Sequence, residues 1–216
     1  MGELANRMLL SLLLVAVTGR SVAAQEIVDR IAARIENDVI LLSEVDALKR
    51  YQLFIDGKAE SDGEILDRLI DQWIVRTEAD VSHFPRPAEE EIQQSLERLR
   101  KSFVSAEEFD ARKKHCSLSD AELQEMGALQ LYLSSYLDSR FRPAVQVEPK
   151  AIEDFYQHAV VPRAKARGEE PPSLDAARDF IQEALVQQGI NEQANQWLKE
   201  SRARLHIEKL LDEAAK

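Results

Sequence analysis

Hydrophobic residues fall along this chain in two periods. Residues 27–35, IVDRIAARI, carry β-branched side chains at Ile27, Val28, Ile31 and Ile35 and read as a strand. Glu36-Asn37-Asp38 is a polar turn, and Val39-Ile40-Leu41-Leu42 is a second short apolar run. Together they predict a β-hairpin. Ser43 then opens S-E-V-D, a capping signature that predicts a helix from Glu44 to about Phe54, stopped by Asp56-Gly57. From about Asp62 to Val81, Ile65, Leu66, Leu69, Ile70, Trp73 and Ile74 recur at helical spacing. Phe84-Pro85-Arg86-Pro87 breaks that helix.

The helical period continues. Ala88 to Phe103 carries Ile92, Leu96, Leu99 and Phe103 on one stripe, behind an acidic first turn of Glu89, Glu90 and Glu91. S-A-E-E at 105–108 caps a short helix, and S-D-A-E at 119–122 caps a long one that runs to about Arg142, before Pro143. Ala144 to Val147 reads as a short extended piece, and Pro149 suits the first turn of a helix from Lys150 to about Val160. The stretch 162–173, PRAKARGEEPPS, has no apolar pattern and reads as an exposed loop. A helix from Ser173 or Leu174 to Gln188, closed by Gly189, and another capped by Asn191 follow. Leu205 to Leu210 alternates apolar and polar, as a half-buried strand does. A lone strand needs a partner, and the N-terminal hairpin is the strong candidate. The expected fold is therefore mostly α, with a small β-sheet formed by the N-terminal hairpin and the C-terminal strand.

Composition narrows the function. The chain has 216 residues, with 28 Lys and Arg against 39 Asp and Glu, a net charge of −11. An acidic balance disfavours nucleic-acid binding, because phosphates call for a basic footprint. A hydrophobic fraction of 44% is too high for a disordered acidic tail. One cysteine cannot form an internal disulfide. Cys116 stands beside His115, but neighbours on a helix seldom face each other, so a structural thiol is expected.

Residues 1–24 read as a secretory signal peptide. Arg7 precedes an apolar run from Met8 to Val17, shorter than a membrane span, and Val22 and Ala24 supply an A-x-A-like cleavage site. The implied compartment is the periplasm. The remaining chain divides into a helical domain over 25–160, an exposed loop or linker over 161–173, and C-terminal helices and strand over 174–216 that complete the same domain.

Reaction machinery is scarce. No phosphate-loop, dinucleotide, zinc-protease or nucleophile-elbow motif is present. His83, His115, His158 and His206 are far apart, and the acidic runs resemble solvated helix faces. No catalytic residue, metal or cofactor is expected, and the chain is not read as an enzyme. Trp73 and Trp197 lie on apolar stripes and are assigned to the core. Tyr132 and Tyr136 share a helix face and either flank the core or line an exposed groove.

The opening IVDRIAARIENDVILLSEVDAL resembles the start of SurA-type periplasmic chaperones. The resemblance runs on through EILDRLIDQWIVRTEAD, PAEEEIQQSLERL, VSAEEFDARKKHCSLSDAEL and RPAVQVEPKAIEDFYQ, and returns in NEQANQWLKESRARLHIEKL. It covers most of 25–160 and 190–210. Family members usually carry parvulin-type prolyl isomerase domains between these parts, of about 90 residues each. Here roughly 161–190 separates them, so isomerase activity is not carried over. The resemblance implies an ATP-independent holdase whose clients are unfolded outer-membrane β-barrel precursors. Leu53, Phe54, Tyr132 and Tyr136 are the candidates for client contact. Alternatives are an adaptor for one dedicated periplasmic partner, or a prolyl isomerase homologue without its catalytic domain. A homodimer formed by exchange of helices or of the C-terminal strand is a further expectation.

Overall fold

The computed structural model describes residues 29–211. The expected signal peptide and the first strand residues Ile27 and Val28 lie outside that range. Strand β1 (Ile31–Ile35) turns through Glu36-Asn37 into β2 (Asp38–Leu41), with Glu36 in the left-handed region at φ 51°. The hairpin is antiparallel, pairing Ile35 with Asp38 and Ala33 with Ile40. Strand β3 (Ile207–Lys209) pairs antiparallel with the other edge of β1, giving the order β2-β1-β3. Glu36 fastens this closure twice. Its N–H donates to the His206 carbonyl at 3.0 Å, and its carboxylate accepts from the His206 N–H at 2.7 Å. The mostly helical fold with one small sheet is thus present, and both ends of the described chain meet in it.

Helix α1 (Leu42–Asp56) begins earlier than the Ser43 signature predicts. Leu41 is the capping position, and the Glu44 carboxylate accepts its N–H at 2.7 Å. Ser43 lies inside the first turn, where its hydroxyl donates to Asp29. The strand feeds the helix without a linker, so the serine ties down the incoming chain and does not cap. Gly57 ends α1 at φ 68°, with its N–H on the Leu53 carbonyl.

Helix α2 (Asp62–Val81) starts at Ser61, whose N–H donates to Glu64 at 2.9 Å while its hydroxyl accepts the Glu64 N–H. Helices α3 (Glu89–Lys101), α4 (Ala106–His115) and α5 (Asp120–Phe141) follow. Ser105 and Ser119 cap α4 and α5 as the sequence predicts. A 3-10 turn at Arg142–Ala144 accommodates Pro143, and no strand follows it before α6 (Pro149–Phe155).

Two expectations are corrected in the C-terminal third. The predicted loop at 162–173 is partly helical: α6 passes through a π turn at Tyr156–Val160 into α7 (Val161–Ala166). Pro162 cannot donate to the carbonyl of His158, and its ring crowds that position. Widening the preceding turn relieves both problems. The second correction concerns Gly189. It does not end a helix, and Asn191 does not begin one. A single helix α8 (Leu174–Arg202) of 29 residues runs through both.

The core has three parts. The largest joins β1, α1 and α2 around Ile35, Val45, Phe54, Ile65, Leu66 and Ile70, each 0% exposed. A second gathers Val75, Ala79, Tyr132, Leu133 and Tyr136 between α2 and α5. A third, with Ile152, Ala177 and Ile181, joins α6 to the first half of α8. Trp197 packs against the first two. No described helix is long and apolar enough to cross a membrane.

Candidate functional site: an amide-lined groove between five helices

Arg202 fixes the second half of α8 to α2. Its guanidinium donates to Asp67 and Asp71 at 2.7 Å each and also to the Asp67 carbonyl. Lys209 reaches Asp67 at 2.7 Å from β3. Burial opposes ionisation of Asp67, yet hydrogen bonds from Lys209 and Arg202 outweigh it and hold the carboxyl below its ordinary range. On the far side, Arg142 donates to both Asp138 of α5 and Glu183 of α8. These two anchors fix α8 to α2 at one point and to α5 at another.

The space left between α1, α2, α3, α5 and α8 is a groove of about 1000 Å³. Its apolar lining includes Leu96 and Leu99 of α3, Leu133 and Leu137 of α5, and Ile190 and Leu198 of α8. Gly127 of α5 keeps Leu96 close: a Cβ there would lie 3.0 Å from Leu96 Cδ2. Tyr51 is buried at the wall, and burial pushes its phenol up, so the ring is neutral. The polar lining includes Gln52, Gln72, Gln130, Ser134, Gln187 and Asn191.

The charges that reach the groove are already engaged. Arg68 forms a two-pronged pair with Glu60, at 2.8 Å on both nitrogens. Asp71 is held by Arg202. Asp138 accepts from Arg142 and from Gln187, and the Arg142 hydrogen bonds keep its carboxyl below the ordinary range.

The aromatic candidates lie elsewhere. Phe54 is fully buried, stacked on Phe103 at 5.2 Å and edge-on to Phe109 at 5.3 Å. Tyr132 is 1% exposed, donates to Asp80 at 2.8 Å, and lies under the Arg86 guanidinium. Tyr136 is also buried and accepts from Arg140 at 2.8 Å. Leu53 is half-buried against the main core. None of the four lines the groove, whereas their neighbours Gln52, Ile55, Leu131, Leu133 and Ser135 do. One position along a helix turns a side chain by about 100°. The four candidates and part of the groove lining thus share helices α1 and α5 but face different ways. The groove residues were missed because a search for aromatics passes over Leu, Gln and Ser. The available signal was the row of uncharged polar residues flanking the apolar stripes.

Reactive groups are sparse here. Among the described residues no three His, Cys, Asp or Glu side chains converge as metal ligands would. Cys116 is buried, and desolvation raises its thiol despite Arg112 and Arg50 nearby, so it is a poor nucleophile. What the arrangement offers is a long apolar surface with neutral hydrogen-bonding groups at its margin. No family model matches the chain, and no curated protein matches it.

Proposed function

We propose that this protein is an ATP-independent periplasmic holdase that binds unfolded polypeptides, with outer-membrane β-barrel precursors as clients. The observation that carries the reading is the groove of about 1000 Å³ with its leucine-rich lining. An unfolded client exposes apolar side chains that such a surface buries weakly and reversibly. Binding the unfolded state lowers the free concentration of aggregating species. The resemblance of residues 25–160 and 190–210 to SurA-type chaperones supports the same reading, as does the signal-like segment at 1–24. A net charge of −11 favours solubility while apolar surface is open to solvent.

The test is aggregation of an unfolded outer-membrane barrel protein, diluted into buffer without ATP and followed by light scattering. Suppression at near-stoichiometric amounts of the chain is expected. Ser134→Trp, which fills the groove from an exposed position on α5, should abolish it while leaving the circular dichroism spectrum unchanged. No suppression by the folded wild type removes the holdase reading. A single stoichiometric partner in a pull-down would then favour a dedicated adaptor.

A further inference from the structure

We infer that two copies of this chain pair through α8, each placing Phe180 in the other's groove, and that this pairing closes the groove to clients. The closing to clients rests on the holdase reading above; the pairing does not.

Phe180 is 71% exposed on α8. Every other aromatic side chain among the described residues is buried or half-buried. Ala176 and Ala184, one turn to either side, are too small to cover the ring. The ring also stands on the groove side of the helix. At about 100° per residue, Gln187, Asn191 and Leu198 fall within about 20° of Phe180, and all three line the groove.

An apolar knob and an apolar hole thus share one face. They cannot meet within one copy, because α8 is continuous and its rise keeps Phe180 about 10 Å short of Gln187. They can meet between copies. With two α8 helices antiparallel across a two-fold axis near Gln187, Phe180 of each copy lies level with the stretch between Asn191 and Leu198 of the other. One axis makes both insertions, and no segment leaves its own fold. A groove of about 1000 Å³ lined by Leu99 and Leu133 has room for a phenyl ring.

Charge favours the same face. A net charge of −11 makes two copies repel wherever unpaired carboxylates confront each other. Within about 60° of the Phe180 line, the charged residues of α8 are Glu183 and Arg202. Glu183 is paired with Arg142, and Arg202 with Asp67 and Asp71. Two copies therefore meet here without opposing unpaired charges on α8.

Sedimentation equilibrium of the chain at up to about 100 μM tests the pairing. The wild type should form dimers. Phe180→Ser removes the knob and Ser134→Trp fills the hole. Each should weaken the dimer at least about tenfold, with an unchanged circular dichroism spectrum. Mixed in equal amounts, the two variants should pair with each other better than either pairs with itself, because Phe180 of the second enters the open groove of the first. A wild type that stays monomeric overturns the inference, as does a dimer that survives both substitutions. A mixture no better than its parts shows that Phe180 does not enter the groove and overturns it too. In the light-scattering assay, Phe180→Ser should suppress aggregation better per chain than the wild type wherever the wild type is paired. No gain overturns the closing to clients. No suppression by either chain removes the holdase reading instead, and the mixing result stands without it.

Discussion

Gly189 of α8 lies against Val145, so closely that a Cβ on the glycine would fall 2.7 Å from Val145 Cγ1. The glycine thus lets the segment after the 3-10 turn cross the middle of a long helix. Helix propensity alone would favour alanine here by about 1 kcal/mol. Val145 is β-branched and cannot rotate away freely, so the clash costs about 1–3 kcal/mol. Gly189→Ala should therefore lower stability by about 1 kcal/mol net in urea denaturation. Combining it with Val145→Ala should recover most of that loss. A Gly189→Ala chain more stable than wild type would show that the crossing segment yields without cost.

Tyr132 is a second place where packing and function separate. Its hydroxyl donates to Asp80, and its ring is buried beneath Arg86. Tyr132→Phe keeps the ring and removes the hydrogen bond, for an expected loss of about 1–2 kcal/mol. Client capture by the folded variant should stay within twofold of wild type. A large loss of capture without a loss of stability would return Tyr132 to the binding surface.

The Arg202 cluster should tolerate lysine poorly. Lysine carries one compact charge and cannot fork to Asp67, its carbonyl and Asp71 together. Arg202 is 28% exposed, between the surface and buried regimes. Arg202→Lys should cost about 1 kcal/mol and Arg202→Met about 2 kcal/mol, measured by chemical denaturation. Equal stability of all three chains would show that β3 and the helix packing alone hold this end of α8.

Acid should weaken the start of α5. Glu122 accepts the Ser119 N–H and the Ser119 hydroxyl, then Arg50, and these together lower its carboxyl from 4.5 to about 2. A carboxyl held down in the folded state stabilises the fold above its unfolded value. That contribution fades as pH falls from about 4.5 towards 2. Glu122→Gln should cost about 1 kcal/mol at neutral pH. The gap from wild type should close below about pH 2, read from urea midpoints across a pH series. A gap independent of pH would assign the cost to packing.

Local signals served well where the chain itself decides the structure. Ser105 and Ser119 cap the helices they announce, and β3 pairs with the hairpin that its need for a partner implied. The errors arise where distant residues decide. Gly189 looks like a helix stop until Val145 is placed beside it. Ser43 looks like a cap until Asp29 and the strand entry are seen. The run 162–173 looks unstructured because its charged composition hides a proline-started helix that needs only Ala164 buried. The groove was invisible for a related reason. Its lining comes from five helices, and each contributes residues that read separately as ordinary helix flanks.

The strand order carries a consequence for timing. The central strand β1 waits for β3, and Arg34 meets Glu208 across 174 positions of chain. Helices can form as soon as their own residues emerge, but the sheet gains its third strand only when residues 207–209 arrive. A chain made or delivered from its N-terminus therefore keeps one side of β1 unpaired until residues 207–209 arrive. Residues 207–209 close a strand near the other end of the described residues, so a truncation just short of Ile207 would leave a helical body with an open sheet edge.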